Sequence, residues 1–228
     1  MDAFSDIVRK YDDLLKEVSD LSDGEATLVL ASKMVAQDVL MGLAEARPGV
    51  IYGENKVQEL LSKYFVSDAV EWQFIGRLQT NKVKYIVDKV SMIQSVDSLR
   101  LAEEIEKRCA KIGKTMEILL EVNIGEEASK GGISREGLSE MLSAVQEMPH
   151  LRLRGIMSVL PNADETVLRP LYARLKEIFE VVRGVHAKNF DVKYLSAGMS
   201  GDYKLALQNG SNMVRIGSAV FGARRYVK

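Results

Sequence analysis

Thr27-Leu28-Val29-Leu30-Ala31-Ser32-Lys33 is an apolar run that ends in a lysine. Its residues read as a buried strand, and a lysine directly after a buried strand stands at the strand's carboxyl end, where α/β proteins place their chemistry. An amine there, partly desolvated by neighbouring strands, can attack a carbonyl and hold it as a Schiff base. Most lysines simply reach into solvent, so the significance of Lys33 depends on what the rest of the chain assembles around it.

Upstream, residues 4–21 set Ile7, Tyr11, Leu14, Leu15 and Val18 on one helical face, the pattern of an opening amphipathic helix. Downstream, Val35, Val39, Leu40 and Leu43 continue at helical spacing until Arg47-Pro48-Gly49 stops them. The alternation then repeats. Strands are expected at 50–52, 72–75, 91–94, 116–122, 151–159, 192–196 and 213–216. Between them, helical patterns run through Val57, Leu60, Leu61 and Tyr64, and through 81–86. A further helix at 98–111 is expected to be capped by Ser95-Val96-Asp97, another begins near Ser134, and one carries Leu171, Leu175, Ile178, Phe179 and Val182. Eight strands alternating with helices imply right-handed parallel crossovers. In one uninterrupted chain they close most economically into a single (β/α)8 TIM-type barrel spanning residues 1–228, preceded by the amino-terminal helix.

Composition excludes several classes. The chain has 228 residues, 46% hydrophobic and 28% charged, enough apolar material for a large core. With 31 basic against 32 acidic residues the net charge is -1, which gives no broad footprint for nucleic acid. No run of apolar residues is long enough to span a bilayer, and the amino terminus lacks the pattern of a secretory leader. The lone Cys109 cannot form an internal disulfide and suits a reducing cytoplasm. His150 and His186 read as surface residues, and no metal-ligand spacing or dinucleotide fingerprint occurs. The basic stretch Arg77, Lys82 and Lys84 reads as a solvated helix face.

A barrel brings the residues after each strand to one mouth: Lys33, Asn55, Arg77, Asn123, Ser200, Arg215, Gly217 and Ser218. Loops after strands seven and eight commonly bind phosphate in such barrels, and here they read Ala197-Gly198-Met199-Ser200-Gly201-Asp202 and Arg215-Ile216-Gly217-Ser218. Small residues admit backbone N–H groups, and Ser200 and Ser218 add hydroxyls. A lysine opposite a phosphate cradle suits a phosphorylated aldehyde, and pyridoxal 5'-phosphate fits both ends. Arg215 then faces the pyridine nitrogen, where a guanidinium cannot accept the ring proton and leaves a weaker electron sink.

These segments resemble the pyridoxal phosphate homeostasis protein family (the YggS/PROSC group), which shares the barrel domain of alanine racemase. The resemblance is carried by Ser32-Lys33, by Gly53-Glu54-Asn55 with Gln58-Glu59, and by Trp72 to Lys82. It continues through Ser95 to Ser98, Val122-Asn123-Ile124, Gly198 to Tyr203, and Val214-Arg215-Ile216-Gly217 with Phe221-Gly222. It implies that Lys33 carries the cofactor as a covalent aldimine, that Ser200, Gly217 and Ser218 hold the phosphate, and that Met199, Asn55 and Arg215 surround the ring. Gln73 and Arg77 stand where the family commonly has histidines, Tyr52 replaces a usual phenylalanine, and Ala197 a usual methionine. None of these changes removes a cofactor contact, but no imidazole is expected near strand three.

The implied role is intracellular homeostasis of the vitamin B6 cofactor, held without a dedicated turnover reaction and with no catalytic residue assigned. Expected partners are the small-molecule cofactor and, transiently, pyridoxal-phosphate-dependent apo-enzymes, with a monomer favoured over a dimer. The competing reading is a pyridoxal-phosphate-dependent amino-acid racemase. Racemases need a second base, which in related enzymes comes from an additional carboxyl-terminal domain. The chain ends after its eighth unit, so that base is expected to be missing unless the loop 123–132 supplies one. A phosphate-sugar barrel enzyme with an aldolase-type lysine is the third alternative.

Overall fold

A computed structural model describes residues 2–125 and 131–222. The opening helix α1 (Ala3–Asp20) starts where the Asp2 carboxylate accepts the Ser5 N–H at 2.7 Å, and it buries Tyr11, Leu14 and Val18 against the barrel. There follow β1 (Thr27–Ala31), α2 (Gln37–Ala46), β2 (Val50–Glu54), α3 (Val57–Lys63) and β3 (Val70–Phe74). A 3₁₀ helix (Thr80–Tyr85) leads to β4 (Met92–Val96), α4 (Leu99–Ile112), β5 (Met116–Glu121), α5 (Leu138–Val145) and β6 (Leu151–Met157). The chain continues through α6 (Glu165–Arg183), β7 (Phe190–Ser196), α7 (Tyr203–Gln208), β8 (Met213–Ile216) and the short α8 (Ser218–Phe221).

The eight strands pair in sequence order and all in parallel, and β8 closes on β1 with Leu30 opposite Ile216. This is the expected barrel. Alternate residues of each strand point inward, so the interior holds Val29, Ala31, Ile75, Met92, Leu119, Met157 and Met213. The larger apolar layer, including Leu30, Tyr52, Phe74, Ile93 and Leu120, lies between the strands and the surrounding helices. Cys109 packs fully buried in that layer, and burial pushes its thiol up to about 11.

Several boundaries differ from the sequence reading for local reasons. The segment expected as a helix at 81–86 is 3₁₀. Ser95 and Val96 belong to β4, with Ser95 Oγ donating to the Gly76 carbonyl at 2.6 Å, so they cap nothing and Ser98 precedes α4. Ser134 lies in a turn before α5, accepting the Gly137 N–H at 3.2 Å. Helix α7 was not anticipated. His186 is exposed, but His150 is half-buried with Nδ1 2.7 Å from Glu106, so only one of the two histidines is a plain surface residue. Among the described residues no helix is long and apolar enough to cross a membrane.

Candidate functional site

The carboxyl ends of the strands form one mouth. Lys33 and Met34 occupy a turn closed by the Val35 N–H donating to the Ser32 carbonyl at 3.0 Å, and Lys33 is half-buried. Met34 has φ +63°, a conformation that costs a side-chain-bearing residue roughly 1–2 kcal/mol and that turns normally give to glycine or asparagine. Its N–H donates to Glu59 Oε1 at 2.8 Å. On the other side, Ser32 is fully buried, with its N–H on the Gly53 carbonyl at 2.9 Å and its hydroxyl donating to Glu54 Oε2 at 2.9 Å.

Beneath this turn lies a buried ion pair. Lys63 Nζ is 2.5 Å from Glu54 Oε2, with side-chain exposures of 4% and 0%, and it also donates to the Ser32 carbonyl at 2.6 Å. The other Glu54 oxygen accepts the Asn55 N–H at 2.7 Å. Burial pushes the Glu54 carboxyl above the usual range, opposed by Lys63. Burial acts on Glu59 in the same sense, but hydrogen bonds from Glu54 and from the Met34 N–H hold it below its ordinary value.

On the opposite side, β8 leaves the barrel against β1. A Cβ on Gly217 would lie 2.6 Å from the Ala31 carbonyl oxygen, so only glycine permits this approach. Ser218 opens α8 and is exposed, and amides in the first turn of a helix have no intrahelical acceptor. Gly198 has φ +99° and packs on Ala206, where a Cβ would approach to 2.6 Å. Asp202 fixes the loop after β7: it accepts the Met199 N–H at 2.7 Å and the Tyr172 hydroxyl at 2.6 Å. The Arg215 N–H donates to the Gly198 carbonyl at 2.9 Å and so joins the two loops. Met199 is exposed and Ser200 half-buried.

Arg215 points into the barrel and is 5% exposed. Burial pushes its pKa down to about 10, while Glu121, Tyr172 and Asp202 favour the charged form. Its guanidinium donates to Ser196 Oγ at 2.7 Å and to the Ser158 carbonyl at 2.9 Å. Arginine has only donors, so the Ser196 proton must face away, toward Gln94 Oε1 at 2.7 Å. Gln94 Nε2 then donates to Gln73 Oε1 at 2.5 Å, and Gln73 Nε2 to Glu71 Oε1 at 2.7 Å. A single directed chain thus crosses the barrel from a cation to a carboxylate.

Of the residues named from sequence, Lys33, Asn55, Ser200, Arg215, Gly217 and Ser218 all lie at the strand ends or in the loops that follow, and so does Met199. Asn55 packs under Gly76, whose Cβ would reach 2.2 Å from the Asn55 carbonyl oxygen. Arg77 is exposed and lines a cavity of about 830 Å³ with Asn55, Lys82, Asp97 and Gly132. Tyr52 satisfies its extra hydroxyl on the Leu40 carbonyl at 2.8 Å. Residues 126–130 of the loop considered as a source of a second base lie outside the described residues. Glu121 escaped the sequence reading: it ends β5, and burial first, then the charge of Asp97, raise its carboxyl pKa, against the nearby Arg215 and Arg77. Glu54, Glu59 and Lys63 were equally unassigned.

A closed parallel barrel with a lysine just past its first strand and a glycine-serine exit from its last has the architecture of the alanine racemase amino-terminal domain, and that family's model matches residues 29–225. The chain belongs, within that fold, to the family of pyridoxal phosphate homeostasis proteins. The protein of that name from Aquifex aeolicus is 41% identical over 204 residues, covering 88% of each chain. Its Escherichia coli K12 counterpart is 36% identical, covering 91% of this chain and 89% of its own. PipY of Synechococcus elongatus, solved with and without pyridoxal phosphate, superposes with TM-score 0.83 at 25% identity over 95% of this chain and all of its own. Alanine racemase from Corynebacterium glutamicum shares the fold at TM-score 0.75 and 15% identity, over 98% of this chain and 62% of the racemase.

Proposed function

We propose that this protein binds pyridoxal 5'-phosphate and acts in its intracellular homeostasis, holding and handing over the cofactor without a dedicated turnover reaction. The observation that carries the reading is the meeting of β1 and β8, where the lysine turn and the Gly217-Ser218 exit flank a single mouth. The donor set fits the group. Lys33 offers an amine for the aldehyde, which it would hold as a Schiff base. Ser200, Ser218 and the backbone at Gly217 offer hydroxyl and amide donors suited to a phosphate, and Asn55 and Met199 would border the ring. Arg215, held by Ser196 and Ser158, presents a cation rather than a carboxylate toward the ring nitrogen.

The names of the Aquifex and Escherichia relatives and the pyridoxal phosphate bound to PipY support the cofactor and the role. The cofactor supplies an electron sink. This chain's own residues would bind it and orient it. Pyridoxal-phosphate-dependent apo-enzymes are the proposed recipients, the cytoplasm the proposed place of action, and a monomer the proposed form.

The test is spectroscopic. Purified protein loaded with pyridoxal phosphate should absorb near ~420 nm, as a lysine Schiff base does, and borohydride should fix the cofactor to Lys33. Lys33→Ala should lose the band while keeping the circular dichroism of the parent, since Lys33 lies at the mouth and not in the core. A band that persists in the variant would remove Lys33 from the attachment role.

A further inference from the structure

Lys33 is presented by a turn that the local sequence does not favour. The chain turns at Ser32 and passes through Met34 at φ +63°, where a methionine has no intrinsic reason to sit. Something must hold it there. The Ser32 side of the turn is anchored to Gly53, Glu54 and Lys63. On the Met34 side, Glu59 Oε1 accepts the N–H at 2.8 Å from a residue 25 positions along the chain.

Glu59 is itself kept in place from below. Its second oxygen is buried with no donor of its own, set against the Glu54 carboxyl that pairs with Lys63. Glu59 thus stands between the buried Lys63–Glu54 pair and the backbone beside the amine. None of these groups is needed to touch a cofactor.

We propose that Glu59 is a positioning residue for Lys33, holding the left-handed turn closed and so setting how fast the cofactor leaves. This rests on the reading that Lys33 carries pyridoxal phosphate. Glutamine at 59 keeps the oxygen that accepts from Met34 and removes only the carboxylate charge. Alanine removes both. The two variants therefore separate positioning from simple loss of a charge.

The experiment uses the full chain as parent, Glu59→Gln and Glu59→Ala. In the cofactor-free proteins, hydrogen exchange of the Met34 amide should speed up in Glu59→Ala by about tenfold, the factor for loss of one hydrogen bond, and stay near the parent rate in Glu59→Gln. The proteins are then loaded with deuterium-labelled pyridoxal phosphate and placed in excess unlabelled cofactor. Borohydride reduction at intervals, followed by mass measurement of the Lys33 peptide, reads the rate of exchange. Glu59→Ala should exchange about tenfold faster by the same equivalence, with Glu59→Gln close to the parent.

Faster amide exchange in Glu59→Ala with unchanged cofactor exchange would overturn the proposal, and so would an unchanged Met34 amide. A parent that takes up no label at Lys33 would defeat the cofactor reading itself, an outcome told apart by the amide measurement, which needs no cofactor. Should Glu59→Ala fail to fold, Glu59→Asp retracts the carboxylate by one carbon and is expected to give the same two accelerations.

Discussion

Replacing Lys63 by methionine tests the foundation of the lysine turn. The ion pair it makes with Glu54 is almost wholly out of water, with the two groups 2.5 Å apart. Breaking such a pair by removing one partner costs about 3–5 kcal/mol, because a charge is left buried and uncompensated. With an m value of about 3 kcal/mol per molar urea, at the upper end for chains of modest size, the midpoint should fall by about 1–1.7 M. The loss must depend on pH. Without Lys63 the folded-state pKa of Glu54 rises further above its unfolded value, so the folded protein binds a proton that the unfolded chain releases. Stability then falls as pH increases from the ordinary glutamate value up to the raised one, by about 1.4 kcal/mol per pH unit. Urea titrations from pH 5 to 8 measure the slope. Adding Glu54→Gln should flatten it while keeping an acceptor for the Asn55 N–H. A Lys63→Met midpoint within about 0.3 M of the parent across that range, under 1 kcal/mol, would refute the burial argument.

Arg215→Glu exchanges donors for acceptors in front of the Ser158 carbonyl and near Glu121; it should shift the cofactor spectrum, loosen cofactor binding, and lower the melting temperature by several degrees at about 2–4 °C per kcal/mol. An unchanged spectrum and affinity would take Arg215 out of the site. The Glu59 carboxyl lies below its unfolded value, so its contribution to stability is present above that value and lost as pH falls through the depressed one; urea midpoints between pH 5 and 3 should therefore drop less in Glu59→Gln than in the parent. In the proposed reading, amino acids added to the holoprotein should alter the spectrum without enzyme-like racemisation, and one absent acid–base group would itself cost roughly 10²–10⁴-fold. L-alanine incubated in deuterium oxide checks this, and D-alanine accumulating at racemase rates would make the protein an enzyme.

The barrel was legible because short apolar runs recur along the chain and helical spacing returns between them. Lys33 was legible for the same reason: it is the polar residue that ends such a run. Glu121 ends β5 in the same way, but Val122 seemed to continue the strand and hid it. Lys63 was invisible because at the end of α3 it reads as an ordinary helix-terminal lysine; its burial comes from the packing of that helix over Glu54 and Ser32. The Met34–Glu59 bond joins positions 25 residues apart, and no local pattern reports it. Helix α7 escaped because its six residues are too few to show a period.

The interior chain explains how the barrel tolerates a buried guanidinium at the place where a cofactor ring is proposed to lie. An isolated charge there would be costly, yet Arg215 is one end of a line of donors and acceptors that closes on the Glu71 carboxylate. Each amide in the line has its orientation dictated by the cation at one end and the anion at the other, so each bond polarises the next in the same sense. Glutamine at 73 serves this arrangement because it accepts from Gln94 and donates to Glu71 through one planar group. A neutral imidazole also offers one donor and one acceptor, but it can take on a proton near neutral pH and would then present donors on both sides. With glutamine the line keeps one polarity, and Arg215 stays fixed on Ser196 and Ser158. In the proposed reading, a ring nitrogen facing Arg215 would stay unprotonated and be a weaker electron sink.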